Sequence, residues 1–120
     1  MTSWIDENTI ANLYSALREM NVFSEYKLPP ASQVDFVIVH DESMCGQYEP
    51  PEKGEPHIIT ISTARHSYLY PVMMTLAHEI IHMCVYLETP KTDRYTSHKG
   101  LFLKLQKRVA NHLGFDPKEL

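Results

Sequence analysis

The stretch TLAHEIIHMCVYLE, residues 75–88, constrains the fold of this chain more than any other. It is apolar enough to form a buried helix, yet it contains His78, Glu79 and His82. Residues of a helix are separated by about 100° around its axis, so both histidines lie on one face, one turn apart. Polar groups on a buried helix need hydrogen-bond partners or a metal ion, because an unpaired polar group is costly to bury.

The spacing His-Glu-x-x-His is typical of zinc-dependent hydrolases. Two imidazoles one turn apart can both bind a tetrahedral ion at about 2.0–2.1 Å. Glu79 points to the side, so we expect it not to be a third ligand but to remove a proton from a metal-bound water. The pattern therefore predicts metal-assisted hydrolysis, with His78 and His82 as ligands and Glu79 as the general base.

A catalytic zinc site needs a third protein ligand, and His98 is the best candidate. The last helix is predicted over residues 98–112, with Ser97 as N-cap and Gly114 as its C-terminal stop. A loop over residues 88–97 is long enough to fold this helix back against the first. On it, His98 is predicted to share a face with an apolar, inward-packing stripe: Leu101, Phe102, Leu105, Val109 and Leu113.

The chain has other residues that bind metals in proteins. A second interpretation takes Cys45 as the third ligand, as in peptide deformylases, because a thiolate binds zinc well; against it, no glycine-rich deformylase segment is found near the N-terminus. Cys84 is predicted to face the core, away from the metal. The remaining histidines carry no spacing signal and are predicted to be surface or structural residues: His40, His57, His66 and His112.

A third interpretation is a non-catalytic zinc-binding interaction module. Glu79 speaks against it, because a purely structural site needs no base. Structural zinc sites also usually have four protein ligands, and no fourth ligand is evident in the sequence.

Length and composition indicate an ordinary globular protein. The 120 residues are predicted to form a single domain, residues 1–120, with 43% hydrophobic and 22% charged residues. A net charge of -4 favours neither nucleic acid nor anionic membranes. No secretory signal or membrane span of about 20 apolar residues is found, so a cytoplasmic protein with reduced cysteines is expected.

The hydrophobic periodicity predicts an α+β domain, in which a small three-stranded sheet is covered by helices on one side. The acidic, turn-rich segment 41–56 is predicted to contain only a short strand. The predicted elements are a helix over 4–20, strands over 34–40, 47–49 and 57–62, and helices over 70–87 and 98–112.

Two motifs together carry a family resemblance. HEIIH (78–82), followed after a loop by SHKGLFLKL (97–105), resembles the SprT-like zinc metallopeptidases, the family of bacterial SprT and eukaryotic Spartan. That family has a His-Gly-x-x-F-like element after its H-E-x-x-H motif; here one residue is inserted between His98 and Gly100. CGQYEP (45–50) is similar to the family's edge-strand region, and the resemblance spans most of residues 10–113.

The resemblance implies a zincin-like minimal metallopeptidase domain with one Zn²⁺ bound by His78, His82 and His98, and with Glu79 as general base. It also implies that the strand near 57–62, or the segment before it, binds an extended peptide by adding a strand to the sheet. Donors that could stabilise the transition state are Tyr70, Tyr95 and Arg94, which no spacing argument separates.

Some members of the family act on proteins bound to DNA, using zinc ribbons or basic segments. Two cysteines cannot make a zinc ribbon, and the five acidic residues of 41–55 argue against broad DNA affinity. Six of the eleven basic residues do form a cluster in the segment 91–108: Lys91, Arg94, Lys99, Lys104, Lys107 and Arg108. A solvated helix face is the commoner explanation of such a basic cluster, so DNA binding is the minor hypothesis.

Overall fold

The computed structural model describes residues 5–65, 68–90, 92 and 94–120. The predictions made for Trp4, His66 and Lys91 therefore lie outside the described residues. Within these ranges the helices are α1 (Glu7–Arg18), α2 (Asn21–Ser24), α3 (Leu69–Glu88) and α4 (Leu101–Leu113). The strands are β1 (Val34–Val39), β2 (Gly46–Glu49) and β3 (His57–Ser62), and short 3₁₀ turns form at Ala31–Gln33 and Arg94–Thr96. The structure confirms the predicted α+β class.

The three strands form a mixed sheet in the order β1-β3-β2. The central strand β3 pairs parallel to β1, with Phe36 opposite Ile59, and antiparallel to β2, with Tyr48 opposite Ile59. Both edges of β3 are therefore occupied, and the prediction that the strand over 57–62 could itself accept a peptide strand is wrong. The segment before it, β2, is one of the two edge strands of this sheet.

One face of the sheet packs against α1 and α3. It presents Tyr48, Ile59 and Ile61, which are at most 5% exposed. The Tyr14 ring of α1 contacts Phe36 at 5.3 Å, and its hydroxyl donates a hydrogen bond to the Pro29 carbonyl at 2.6 Å. On the opposite face β1 and β2 present exposed residues, whereas Ile58 and Thr60 of the central strand β3 are half-buried, so the helices cover one side of the sheet as predicted.

The long helix α3 runs through the centre of the molecule. Leu76, Ile80 and Cys84 are fully buried, which confirms that Cys84 belongs to the core. The helix is buried nearly all round, as its composition predicts, so its polar side chains open into clefts rather than into bulk water. None of the helices in the described part of the chain has the length and apolar character needed to cross a membrane.

The last helix begins three residues later than predicted. Gly100 is its N-cap, with φ of 59°, a left-handed conformation that suits glycine. The Ser97 hydroxyl accepts a hydrogen bond from the Lys99 N–H at 3.1 Å, so it closes a local turn instead of capping the helix. His98 therefore lies on an irregular segment before α4, and the prediction that places it on the helix face is wrong. Gly114 ends the helix with φ of 78°, as expected.

Candidate metal centre

Three imidazoles meet at one point between α3 and the segment before α4. The Nε2 atoms of His78 and His82 are 3.2 Å apart, and those of His82 and His98 are 3.1 Å apart. All three candidate ligand atoms lie within 4.8 Å of one another. Tetrahedral coordination with bonds of 2.0–2.1 Å places ligand nitrogens about 3.3 Å apart. His78, His82 and His98 are thus close enough to bind one metal ion.

The contacts of the Nδ1 atoms of His78 and His82 show which nitrogen of each ring carries the proton. The Nδ1 of His78 contacts the main-chain oxygen of Leu120, and the Nδ1 of His82 contacts the main-chain oxygen of Tyr95. A main-chain oxygen without a proton only accepts hydrogen bonds, so both Nδ1 atoms carry the proton. In the neutral ring, Nε2 then has a lone pair and no hydrogen.

Two such Nε2 atoms cannot form a hydrogen bond with each other. At 3.2 Å the lone pairs of His78 and His82 face one another and repel, unless a cation or a proton lies between them. Burial lowers the pKa of His78, and burial together with the neighbouring His78 lowers the pKa of His82 to about 4. At neutral pH both rings are therefore uncharged, which is the form that binds metals.

Glu79 lies beside this cluster and is only 5% exposed. It faces β2 at Gly46, where a Cβ atom would come within 3.1 Å of the Glu79 Oε2 and 2.7 Å of the Thr75 Cγ2. A glycine at position 46 therefore makes room for the carboxylate. Burial raises the pKa of Glu79 to about 8; a divalent cation nearby would favour the charged form and act in the opposite direction.

Two clefts adjoin at Gly46, His78 and Glu79. The apolar cleft, of about 750 Å³, is lined in addition by Met44, Tyr70, Met74 and Leu120. The polar cleft, of about 600 Å³, is lined in addition by Glu49, Glu52, Tyr95 and His98. β2 borders the polar cleft along its length and meets the apolar cleft at Gly46, so His78 and Glu79 lie where the two clefts join.

The other residues predicted to take part in the site differ in whether they lie near the clefts and the ligand cluster. Tyr70 and Tyr95 line the two clefts, whereas Arg94 is exposed and lines neither. Cys45 borders the apolar cleft but does not belong to the ligand cluster, so the described residues do not support a deformylase-like site. His40 and His112 are exposed, and His57 is half-buried against the Tyr48 hydroxyl at 2.7 Å.

Several groups that form the site were not predicted from the sequence. Gly46 was assigned to a turn-rich segment, although a glycine within a strand often marks a close approach of another group. The supporting oxygens of Tyr95 and Leu120 have no sequence signal, because every residue has a main-chain oxygen. Phe102 was placed in the motif, and its ring lies 4.6–5.1 Å from all three imidazoles.

No protein-family model, no curated protein and no solved structure matches this chain.

Proposed function

We propose that this protein is a zinc-dependent metallopeptidase of the SprT-like, zincin-like type. The observation that carries the proposal is the convergence of three imidazole nitrogens beside a buried carboxylate, Glu79, in a groove bordered by a free strand edge. Three imidazole ligands suit zinc and leave one coordination position open, which is typical of catalytic rather than structural sites.

When bound, zinc supplies Lewis acidity, which polarises a carbonyl and lowers the pKa of a water in the open position to about 7. His78 and His82 would hold the ion from the fixed side of the site, and His98 from the irregular segment. The repulsion between the facing lone pairs of His78 and His82 is relieved by a cation at this point, which supports the assignment.

Glu79 is proposed as the general base. Its position against Gly46 aims it at the space where the two clefts meet. Its carboxylate lines both clefts, where its oxygens could take a proton from the attacking water and return it to the leaving amine. A purely structural site would have no use for a base beside the metal ligands.

The substrate is proposed to be an extended peptide that pairs with β2. The main-chain groups of Gly46–Glu49 on the side away from β3 have no strand partner among the described residues. A peptide added there would cross both clefts, with its scissile bond near Glu79 and its side chains alternating towards and away from the groove. Tyr70 and Tyr95, one in each cleft, remain the proposed donors to the developing oxyanion.

The structure offers less support for action on DNA-associated proteins. Among the residues that the structure describes, those that line the two clefts include three exposed glutamates, Glu49, Glu52 and Glu119, and no lysine or arginine. The basic side chains of α4 and the segment before it are exposed, and Arg108 forms an ion pair with Glu25 at 2.7 Å. A solvated helix face therefore remains the simpler explanation.

The proposal is tested by peptide hydrolysis. Zinc-loaded protein is incubated with an unfolded polypeptide such as reduced casein, and the products are identified by mass spectrometry. We expect cleavage by the wild type and a loss of about 10²–10⁴-fold in rate for Glu79→Gln, with one zinc retained by both. Zinc binding without cleavage by the wild type, or equal cleavage by Glu79→Gln, would contradict the proposal.

A further inference from the structure

The segment after α4, residues 115–120, folds back onto the candidate metal centre. Phe115 and Leu120 are each 5% exposed, as low as core residues. Phe115 donates its N–H to the Ala110 carbonyl at 2.9 Å, and its ring packs edge-on against Tyr70 at 5.5 Å. The segment is pinned again in its middle, where the Gln106 side chain donates to the Pro117 carbonyl at 3.1 Å.

The end of this segment contacts a metal ligand from behind. The Leu120 main-chain oxygen accepts a hydrogen bond from the Nδ1 of His78, 42 positions earlier in the chain. The Leu120 N–H donates to the Asp116 carbonyl at 3.2 Å, which fixes the residue in a turn. Glu119 and Leu120 also form part of the wall of the apolar cleft.

We propose that the main-chain oxygen of Leu120 is a positioning group of the metal centre, which holds His78 in the tautomer and orientation that bind the ion. This inference depends on the metal site of the proposed function. A carbonyl that accepts from the outer nitrogen of a ligating imidazole fixes the ring, keeps the lone pair on Nε2 and raises its basicity. Segment 115–120 is then part of the site, although no sequence motif marks it.

The second helical ligand supports this inference. His82 makes the same kind of contact, from its Nδ1 to the main-chain oxygen of Tyr95. Each of the two histidines on α3 thus contacts, through its Nδ1, a main-chain oxygen from a different segment of the chain. His98 lacks such a contact among the described residues, so this support is specific to the helical pair.

The test compares two variants of the segment. A chain that ends at Lys118 loses the Leu120 oxygen, whereas Leu120→Ala keeps the main-chain oxygen and loses only the buried side chain. Zinc affinity is measured by competition with a chelator, and thermal unfolding of the metal-free proteins checks that both variants fold. We expect zinc affinity to fall about 10–100-fold for the shortened chain and to stay within about threefold of wild type for Leu120→Ala.

Equal zinc affinity in all three proteins would overturn the inference, and so would an equal loss in both variants, since that loss would report packing. A second measurement decides the matter if the shortened chain does not fold. Long-range ¹H–¹⁵N spectra of the full, metal-free chain report the tautomer of each histidine; we expect a proton on the Nδ1 of His78, and a proton on its Nε2 would overturn the inference. If the wild type bound no zinc, the proposed function would fail, while the tautomer of His78 would still decide this inference.

Discussion

The two halves of the candidate metal centre are built differently. His78 and His82 project from a buried twenty-residue helix, and each is held from behind by a main-chain oxygen. His98 lies on an exposed irregular segment, and no described residue holds its Nδ1. All three nevertheless bring their Nε2 atoms to one point.

This difference separates ligands fixed by local geometry from a ligand fixed by tertiary structure. On α3 the helical repeat alone brings the two imidazoles together. His98 instead depends on the Arg94–Thr96 turn before it and on the Gly100 N-cap after it. We therefore expect the α3 half to determine whether metal binds, and the His98 half to adjust how tightly it binds.

The largest effect is expected from removing a ligand. His82→Ala should weaken zinc binding by well over about 100-fold, which exceeds the typical cost of losing an outer-shell partner. His98→Ala should also weaken binding, but less, because water can replace an exposed ligand more readily than a buried one. Chelator competition measures both, with His112→Ala, an exposed histidine outside the cluster, as the control. A larger loss for His98→Ala than for His82→Ala would reverse the comparison.

The burial of the α3 half predicts a pH dependence in the metal-free protein. The pKa of Glu79 is raised to about 8 by burial, so its contribution to stability is present at low pH and is lost as the pH rises through about 8. The pKa of His82 is lowered to about 4 by burial and by His78, so its contribution is lost as the pH falls from about 6.5 through that value.

Between about pH 4.5 and 6.5 the two effects oppose each other, and above pH 6.5 only the loss due to Glu79 remains. Metal-free wild type should therefore lose about 2 kcal/mol of unfolding free energy between pH 6.5 and 8. Urea unfolding of Glu79→Gln should show no such decline. A decline of equal size in that variant would assign the effect to another group.

A smaller effect is expected from the packing of the Tyr95 ring, which holds the turn before His98 in place. The Tyr95 ring lies 6.1 Å from that of Tyr48 and 6.0 Å from that of Tyr86, and these contacts anchor the Arg94–Thr96 turn. Tyr95→Ala keeps the main-chain oxygen but loses the anchor, so zinc affinity should fall about 10-fold. Tyr68→Ala, at a tyrosine that is 78% exposed, is the matched control and should leave affinity unchanged. Unchanged affinity in Tyr95→Ala would mean that the turn needs no anchor.

The smallest effect is expected at the hinge before α4. Gly100 and Gly54 both have positive φ, and a Cβ at either would meet no atom within 4 Å. Alanine at either position should therefore cost about 1–3 kcal/mol through backbone strain alone. Only Gly100→Ala should also lower zinc affinity, by a few-fold, because Gly100 is two residues from His98. Calorimetric titration with zinc measures the affinity of both variants. Equal affinities would mean that Gly100 does not help to position His98.

The sequence predicts the periodic parts of this molecule well. The pairing of His78 with His82, the burial of Cys84 and the positions of β1 and β3 follow from side-chain repeats of 3.6 and 2 residues, and all are observed. His98 is predicted as the third ligand and joins the cluster, but it precedes the helix on which it was predicted to lie. An apolar stripe predicts which residues pack inward, and it does not predict where the helix begins.

The remaining features depend on contacts between distant segments. β2 is an edge strand because of the order β1-β3-β2, which no local pattern specifies. The contact of Gly46 with Glu79 and the Leu120 oxygen behind His78 join residues 33 and 42 positions apart. Such contacts form only when the whole chain is folded, so local patterns in a single sequence do not predict them.

X-ray absorption at the zinc edge of the zinc-loaded protein tests the central claim most directly. We expect three imidazole nitrogens and one further light-atom ligand at about 2.0–2.1 Å, and a loss of one imidazole in His98→Ala. A sulfur ligand at about 2.3 Å would instead place Cys45 at the metal and contradict the three-histidine centre. Failure of the wild type to bind zinc would contradict it as well.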